Sequence, residues 1–396
     1  MNKGVSNLFL SLVRLGIGHR TVNDLKSSVS GSDSADWVAL KALAKRQGLS
    51  AIVLDGLNLV HGEGFMVKGS SNSALTTDSK LSTLNTQLKL EWIGEVLQYE
   101  QRYAVYEKNI RDLATFYRKH GIRMMVLKGY GLSKNYPVPN HRPCGDLDIY
   151  LFGDQEKADK LIAEELGIKI DNTHHHHSVF QFQGETVENH YDFLNVHVRK
   201  SNNRMEVKLK EIANANVNLN LDLDGSIDIV LTTKDSNDTN IVFPSVEFNA
   251  IYLLRHCAAH FASTEMTVRQ VLDWGFFMEK YHREIKRDEY IPYIKQEGMY
   301  RFYNLLGLFC MSHLGFDASI FHGLYSDGLF ERFGNEILEP EFKDREDGRL
   351  LHSLSVKPRR WWHNRWKNRL CYPDSAWEEF VYGLWAKVLK PSHFVQ

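Results

Sequence analysis

An α+β fold, with a mixed β-sheet core between helical N- and C-terminal regions, is what this sequence predicts. Three observations carry that reading. Apolar residues recur at helical spacing through the first 115 or so positions, and again from Val246 onward. Between these stretches lie short apolar or alternating runs bounded by glycine and proline, which is the pattern of strands. The composition is that of an ordinary globular chain: 43% hydrophobic and 24% charged residues, with 27 glycines and 9 prolines in 396. A disordered, collagen-like or coiled-coil chain is thereby excluded. At roughly 150 residues per domain the length allows two or three domains. The expected division is a helical region over 1–115, an α+β core over 116–240 and a mostly helical domain over 241–396.

In order along the chain, Val5 to Leu15 and Trp37 to Gln47 predict amphipathic helices, with GSDSADW supplying a cap between them. AIVLDGLNLV continues the bundle, and the polar stretch Ser70 to Lys80 reads as a loop. A long helical pattern from Leu84 to His120 stops at Gly121, a residue suited to a helix C-terminus. IRMMVLK then reads as a buried strand closing on the tight turn GYG, and NYPVPNHRPCG as a loop. DLDIYLF alternates as a second strand, followed by a helix over Gln155 to Leu166. HSVFQFQ and ETVENHYDF pair across a turn at Gly184. The polar, partly alternating chain from Arg199 to Asn240 suggests an edge hairpin. Its NLDLDG lacks the twelve-position pattern of a calcium loop. Helices return over Val246 to Phe261, Thr267 to Tyr281 and Tyr300 to Leu314, with a last one around Ala376 to Leu389.

Charge and cysteine usage narrow the possible functions. Lys plus Arg (48) nearly balance Asp plus Glu (49), so no global imbalance marks a nucleic-acid or membrane-coating protein. Four scattered cysteines, Cys144, Cys257, Cys310 and Cys371, fit neither a disulfide scaffold nor a close-spaced zinc site, and predict a reduced, cytoplasmic protein. Arg14 interrupts the N-terminal apolar stretch and no small-residue cleavage site follows it, so a helix is expected there rather than a signal peptide. No run of about 18 apolar residues occurs, so no transmembrane association is expected.

The stretch from Val126 to Gly153 carries the chemistry. On a strand, Asp146 and Asp148 point to one face while Leu147, Ile149 and Leu151 point to the other. Two carboxylates so placed can hold a divalent ion with oxygen ligands. A solvated edge strand with two acids is the alternative. Lys128 is a candidate point-charge contact for phosphate, and Arg142 a candidate forked one. Gly129 permits close approach of phosphate to the backbone.

These residues resemble the uncharacterised nucleotidyltransferase family of bacteria, within the DNA polymerase beta-like nucleotidyltransferase superfamily. The matched motifs are Leu127-Lys128-Gly129, Tyr136-Pro137, Arg142-Pro143 with Asp146 and Asp148, and Val187-Glu188-Asn189-His190-Tyr191. His256, His260 and the Arg269-to-Trp274 segment match further family features. The resemblance implies a nucleotidyltransferase-type core and transfer of a nucleoside monophosphate from a nucleoside triphosphate such as ATP, with release of pyrophosphate. It implies Asp146, Asp148 and Glu188 as ligands of magnesium, or of manganese, with Lys128, Gly129 and Arg142 binding the nucleotide. A glutamate stands where the superfamily commonly has aspartate, and Lys128-Gly129 replaces its usual Gly-Ser or Gly-Gly turn. The acceptor could be a sugar, a small metabolite, a protein hydroxyl or an RNA end.

By two-residue periodicity Glu188, His190 and Asp192 share a face. Glu188 can bind metal or act as a base, His190 can orient either group, and Asp192 is the rival third carboxylate. His256 and His260, four apart, suit a pocket wall better than a zinc site, since the glutamate of H-E-x-x-H is missing. Arg269 and Asp273, also four apart, are a candidate ion pair. The run His174 to His177 is expected to line the cleft or the surface rather than form its own metal centre. KPRRWWHNRWKNRL holds six basic residues and three tryptophans. It reads first as a packed helix with solvated charges, and otherwise as an RNA or membrane contact. Two functions from other classes stay open: a non-catalytic nucleotide-binding protein and a metal-dependent phosphohydrolase.

Overall fold

The computed structural model describes residues 3–20, 37–61, 86–174, 176–197, 199–218, 241–263, 265–342, 356, 359–375 and 378. The loop over 70–80, the NLDLDG segment, His175 and, apart from Glu378, the closing helix expected over 376–389 lie outside these residues.

Three helices, α1 (Lys3–Gly16), α2 (Trp37–Arg46) and α3 (Ser50–His61), precede the 34-residue α4 (Thr86–Lys119). Trp92, Val96, Tyr103, Tyr106, Ile110, Leu113 and Tyr117 form the buried stripe of α4, with steps of three, four and seven. The helix ends because Gly121 adopts φ +68° while the Ile122 amide turns back to the Tyr117 carbonyl at 3.0 Å.

β1 (Met124–Val126) leads into a short helix α5 (Gly129–Ser133), where the sequence suggested only a turn. β2 (Leu147–Tyr150), α6 (Gln155–Leu166), β3 (His177–Phe182) and β4 (Glu185–His190) follow as predicted, with β2 shorter. α7 (Lys200–Asn218) replaces the start of the expected hairpin region. Met205, Leu209, Ile212 and Ala213 are buried at helical spacing there, and this outweighs the polar alternation around them. β5 (Ile241–Val242) completes a sheet of order β3-β4-β2-β1-β5. It is mixed: β2 pairs parallel with β4 and β1 with β5, while β1 and β2, and β3 and β4, are antiparallel. The chain is thus α+β, as predicted.

One sheet face carries Leu147, Ile149, Phe180 and Val187, which pack with Tyr106, Ile110, Leu113 and Tyr117 of α4 and Ile162 of α6. The other face looks toward α8 (Val246–Ser263) and α9 (Val268–Tyr281). Beyond them lie α10 (Arg287–Gln296), α11 (Tyr300–Phe309), α12 (Phe330–Leu338) and α13 (Arg365–Cys371). α1 to α3 share one apolar core with these C-terminal helices. Polar bonds tie the ends together: Arg14 donates to the His313 carbonyl at 2.5 Å, and the Gln47 amide to the Ile337 carbonyl at 3.0 Å.

The loop between β1 and β2 is held from two sides. His141 bonds Asp55 of α3 at 2.6 Å and Glu100 of α4 at 3.0 Å. Arg142 sends Nε to Asp273 Oδ1 at 2.7 Å and Nη2 to Oδ2 at 2.8 Å, and the Tyr136 hydroxyl donates to the same Oδ1 at 2.7 Å. All three side chains are buried. Burial pushes the Asp273 carboxyl up, but Arg142 outweighs it and holds the group below its ordinary range. The expected partner of Asp273 was Arg269; among the described contacts its carboxylate is taken by Arg142 and Tyr136 instead.

Removing one partner of a buried ion pair leaves the other charged and unsolvated, at a cost of about 3–5 kcal/mol. Asp273→Ala is therefore expected to lower the unfolding free energy by that amount, read as a lower urea midpoint with an unchanged slope. Arg142→Met combined with Asp273→Leu should recover much of the loss, because two uncharged side chains need no partner. A single-variant loss below about 1 kcal/mol, the scale of an exposed pair, would contradict the clamp.

Candidate active site

Parallel pairing of β2 with β4 sets Asp148 against Glu188 and Tyr150 against His190. The apolar residues between them fix this register, since a one-residue slip would turn every side chain to the opposite face. Asp146 stands two residues before Asp148, just ahead of the strand, and is exposed at the mouth of the cleft. The Tyr106 hydroxyl of α4 donates to the Asp146 carbonyl at 2.9 Å. A Cβ on Gly129 would lie 2.9 Å from that hydroxyl. Glycine at 129 thus lets Tyr106 reach Asp146, a reason inside the protein alongside the phosphate approach expected from sequence.

Lys128 holds a φ of +46°, a region that costs a residue with a Cβ about 1–3 kcal/mol. Its Nζ lies 2.8 Å from Asp148 Oδ1. His190 Nε2 meets the same oxygen at 2.9 Å and Glu188 Oε2 at 3.4 Å. His190 Nδ1 faces the Asp192 carbonyl at 3.2 Å. Both ring nitrogens therefore face acceptors, which assigns a doubly protonated ring. Burial alone would push the His190 pKa down, but the bonds to Asp148 and Glu188 raise it. Asp148 is pushed up by burial and then held far below its ordinary value by Lys128 and His190. Burial also pushes Glu188 up, and its bond to His190 leaves it below the usual carboxylate range. Asp146 has no such cation. The protein around its carboxyl, then Asp148 and Glu188, push it up.

Asp148, Glu188 and His190 each present a donor atom within 4.8 Å of the other two. The three carboxylates are oxygen donors on one side of one sheet, the set that suits a hard divalent cation. The raised Asp146 fits that use, because a cluster short of positive charge is relieved by a cation. Asp192, the rival third carboxylate, is turned away: β4 ends at His190, and Asp192 pairs with Lys210 of α7 at 2.5 Å. Arg142 reaches the edge of the site, but its guanidinium is engaged by Asp273 rather than presented as an open fork.

Two adjoining spaces meet here. A cleft of about 600 Å³ has Asp146, Glu188, His176 and His190 on one side, and Tyr252, Arg255, His256 and His260 of α8 on another. Arg360, Trp361 and Asn364 complete its wall. A smaller pocket of about 190 Å³ joins Lys128, Gly129, Asp146 and Asp148 to His256, Arg269 and Asp273. His256 and His260 pack edge to face with centroids 4.5 Å apart. Tyr252 packs on His256, and burial pushes its phenol up to about 12 even with Lys128 close by.

The residues expected from sequence on β1, β2 and β4 are thus brought together, while Arg142 and Asp192 serve other partners. Tyr106, Tyr252 and Arg255 were missed. Tyr252, His256 and His260 recur every four residues along α8, a stripe that was legible had the tyrosine been counted with the histidines.

An α+β chain with a carboxylate cluster on one sheet face, beneath a helical wall, has the build of an enzyme that moves phosphate-bearing groups. This chain belongs to the uncharacterised nucleotidyltransferase family, whose model matches residues 33–315, and so to the nucleotidyl-transferring enzymes. That range includes every site residue named on the sheet, α8 and α9 and stops before the basic tryptophan-rich segment. No curated protein and no solved structure matches the chain.

Burial, then Lys128 and Arg269, push the His260 pKa down to about 4. The unfolded chain, with an ordinary histidine near 6.5, takes up the proton first. Stability is therefore expected to fall as pH drops from 6.5 toward 4 and to level off below. Thermal melts in metal-free buffer should show a smaller acid loss for His260→Gln than for the parent protein. Equal losses would remove His260 from the account.

Proposed function

We propose that this enzyme transfers a nucleoside monophosphate from a nucleoside triphosphate, ATP among the candidates, to a hydroxyl-bearing acceptor, releasing pyrophosphate. The observation that carries the reading is the register of Asp148 against Glu188 with Asp146 two residues ahead. In this reading Asp146, Asp148 and Glu188 hold magnesium, with manganese as a substitute. When bound, the metal screens charge on the transferring phosphate and lowers the pKa of the attacking hydroxyl. Lys128, paired with Asp148 at 2.8 Å, would offer its ammonium to a phosphate oxygen as a point charge. His190 holds Asp148 and Glu188 in place through Nε2. Catalysis then rests on positioning and charge rather than on a covalent intermediate.

The cleft of about 600 Å³ supports an acceptor the size of a sugar, a small metabolite, a protein side chain or a single RNA end. Four cysteines buried as free thiols support the cytoplasm as the compartment. No described helix is long and apolar enough to cross a membrane.

The test incubates the protein with magnesium, a cell extract and each of ATP, CTP, GTP and UTP labelled at the α-phosphate. Label should move to an acceptor and pyrophosphate should appear. Asp146→Asn and Asp148→Asn should each lower the rate by at least about a hundredfold. Asp146 is the cleaner variant because its side chain is exposed and its backbone, not its carboxyl, is held by Tyr106. Undiminished labelling by a folded double variant would sink the assignment. Phosphate release without acceptor labelling would replace it with a hydrolase.

A further inference from the structure

Beside the carboxylates lies a second donor set that the transfer reaction as proposed does not use. His176 and His177 come from the start of β3, and His190 from the end of β4, where His177 and His190 are register partners. One ring nitrogen from each lies within 4.8 Å of the other two. Ring centroids are 4.4 Å apart for His176 and His177, 5.6 Å for His176 and His190, and 5.1 Å for His177 and His190. Nδ1 of both His176 and His177 is buried with no hydrogen-bond partner. A buried polar nitrogen left without a partner costs about 1–3 kcal/mol, a cost that a bound ligand would remove. Glu188 Oε1 stands 3.8 Å from His177 Nε2 as a neighbouring oxygen donor.

We propose that His176, His177 and His190, with Glu188 beside them, bind a transition-metal ion such as zinc or nickel. Magnesium is a poor fit, because it takes oxygen ligands, whereas imidazole nitrogens select zinc and its first-row neighbours. The size of the cluster is right. A Zn–N bond is about 2.0–2.1 Å, so tetrahedral ligands on one ion stand about 3.4 Å apart. Closing from 4.8 Å takes small side-chain shifts on two already paired strands. Three donors from the protein leave a position open for a substrate oxygen, the mark of a working rather than a purely structural metal. The set shares His190 with the carboxylate group: a bound metal would replace the Nε2 proton that faces Asp148 and Glu188, while Nδ1 keeps the Asp192 carbonyl. His176 lines the large cleft beside Asp146 and Glu188. This inference goes beyond the transfer reading, and His176 and His177 belong to it alone. His174 is not part of it, since its Nε2 leans to Asp171 Oδ2 at 3.9 Å.

The experiment titrates cobalt(II), a spectroscopic stand-in for zinc, into the full chain after chelator dialysis. One equivalent should produce visible d–d absorption, and zinc should displace it while a large excess of magnesium should not. His176→Ala and His177→Gln should each weaken cobalt binding at least about tenfold, with thermal melts confirming a folded chain. His174→Ala should leave the affinity unchanged. Binding that survives the double variant at positions 176 and 177, or that disappears with His174→Ala, overturns the proposal, the latter by assigning the metal to the exposed end of the histidine run. Absence of a stoichiometric band in the parent protein also overturns it. Asp146→Asn separates the two readings: it should abolish label transfer and keep the cobalt band, so either can fail alone.

Discussion

The bond between Arg142 and Asp273 is the constraint on which the rest of the molecule depends. The two residues are 131 positions apart, one in the loop entering β2 and the other on α9. Nothing local brings them together, so the pair forms only when the helical wall sits on the sheet. Two bonds of 2.7 and 2.8 Å, with Tyr136 as a third donor to the carboxylate, fix the orientation as well as the distance. A forked guanidinium on a carboxylate has one good geometry, which lysine could not reproduce. On the other side of the same loop, His141 bridges Asp55 and Glu100. The chain that delivers Asp146 is thereby clamped between the first helices and the last ones. Family resemblance recognises Tyr136, Arg142 and Asp273 as separate motif letters; physically they are one joint.

The site is an exercise in keeping carboxylates charged in a place that disfavours charge. Asp148 is buried, and at a surface-like effective dielectric two charges 4 Å apart still interact by about 4 kcal/mol. Lys128 and His190 both meet its Oδ1, at 2.8 and 2.9 Å. Glu188 borrows the same imidazolium. Asp146 gets neither; the protein around its carboxyl first, then Asp148 and Glu188, push its pKa up. The near balance of 48 basic and 49 acidic residues says nothing of this. What matters is that the cations nearest the cluster are held on two of its three members, so a cation that serves all three has somewhere to go.

Much of this was legible. The alternation in DLDIYLF put the aspartates on one face, and Gln155 to Leu166 is a helix to the residue. Glu188 and His190 were found from their motif and from period two. Other features were not legible, for physical reasons. α7 looked like part of a hairpin region because its polar residues alternate; the four core contacts that make it a helix depend on a partner surface absent from the sequence. Asp273 was matched with Arg269 because spacing sees only neighbours on one helix. The choice of Arg142 follows from tertiary packing, where a bidentate buried partner outcompetes one a turn away. Asp192 rivalled Glu188 by period two alone; in the structure β4 stops at His190 and Lys210 claims the Asp192 carboxylate.

The basic tryptophan-rich segment shows the same limit from the other direction. As composition it reads first as a packed helix with solvated charges, and otherwise as a contact for RNA or lipid. In the structure, Lys367 is buried in an ion pair with Glu336, and Trp366 packs on Phe261 beneath Arg332. Arg365 lies 3.4 Å over the Trp362 ring. Asn368 accepts from Arg199, which in turn stacks on Tyr372 at 3.7 Å. A platform for nucleic acid needs guanidiniums and rings turned outward together; here several of both are engaged with one another or with the core. What the segment does contribute outward is directed: Arg360, Trp361 and Asn364 wall the cleft that Asp146 and Glu188 floor. An acidic floor and a wall carrying arginine and an indole present complementary surfaces across one space. The segment lies beyond residues 33–315, the range the family model matches, so the cleft is built jointly by that range and by the chain that follows it.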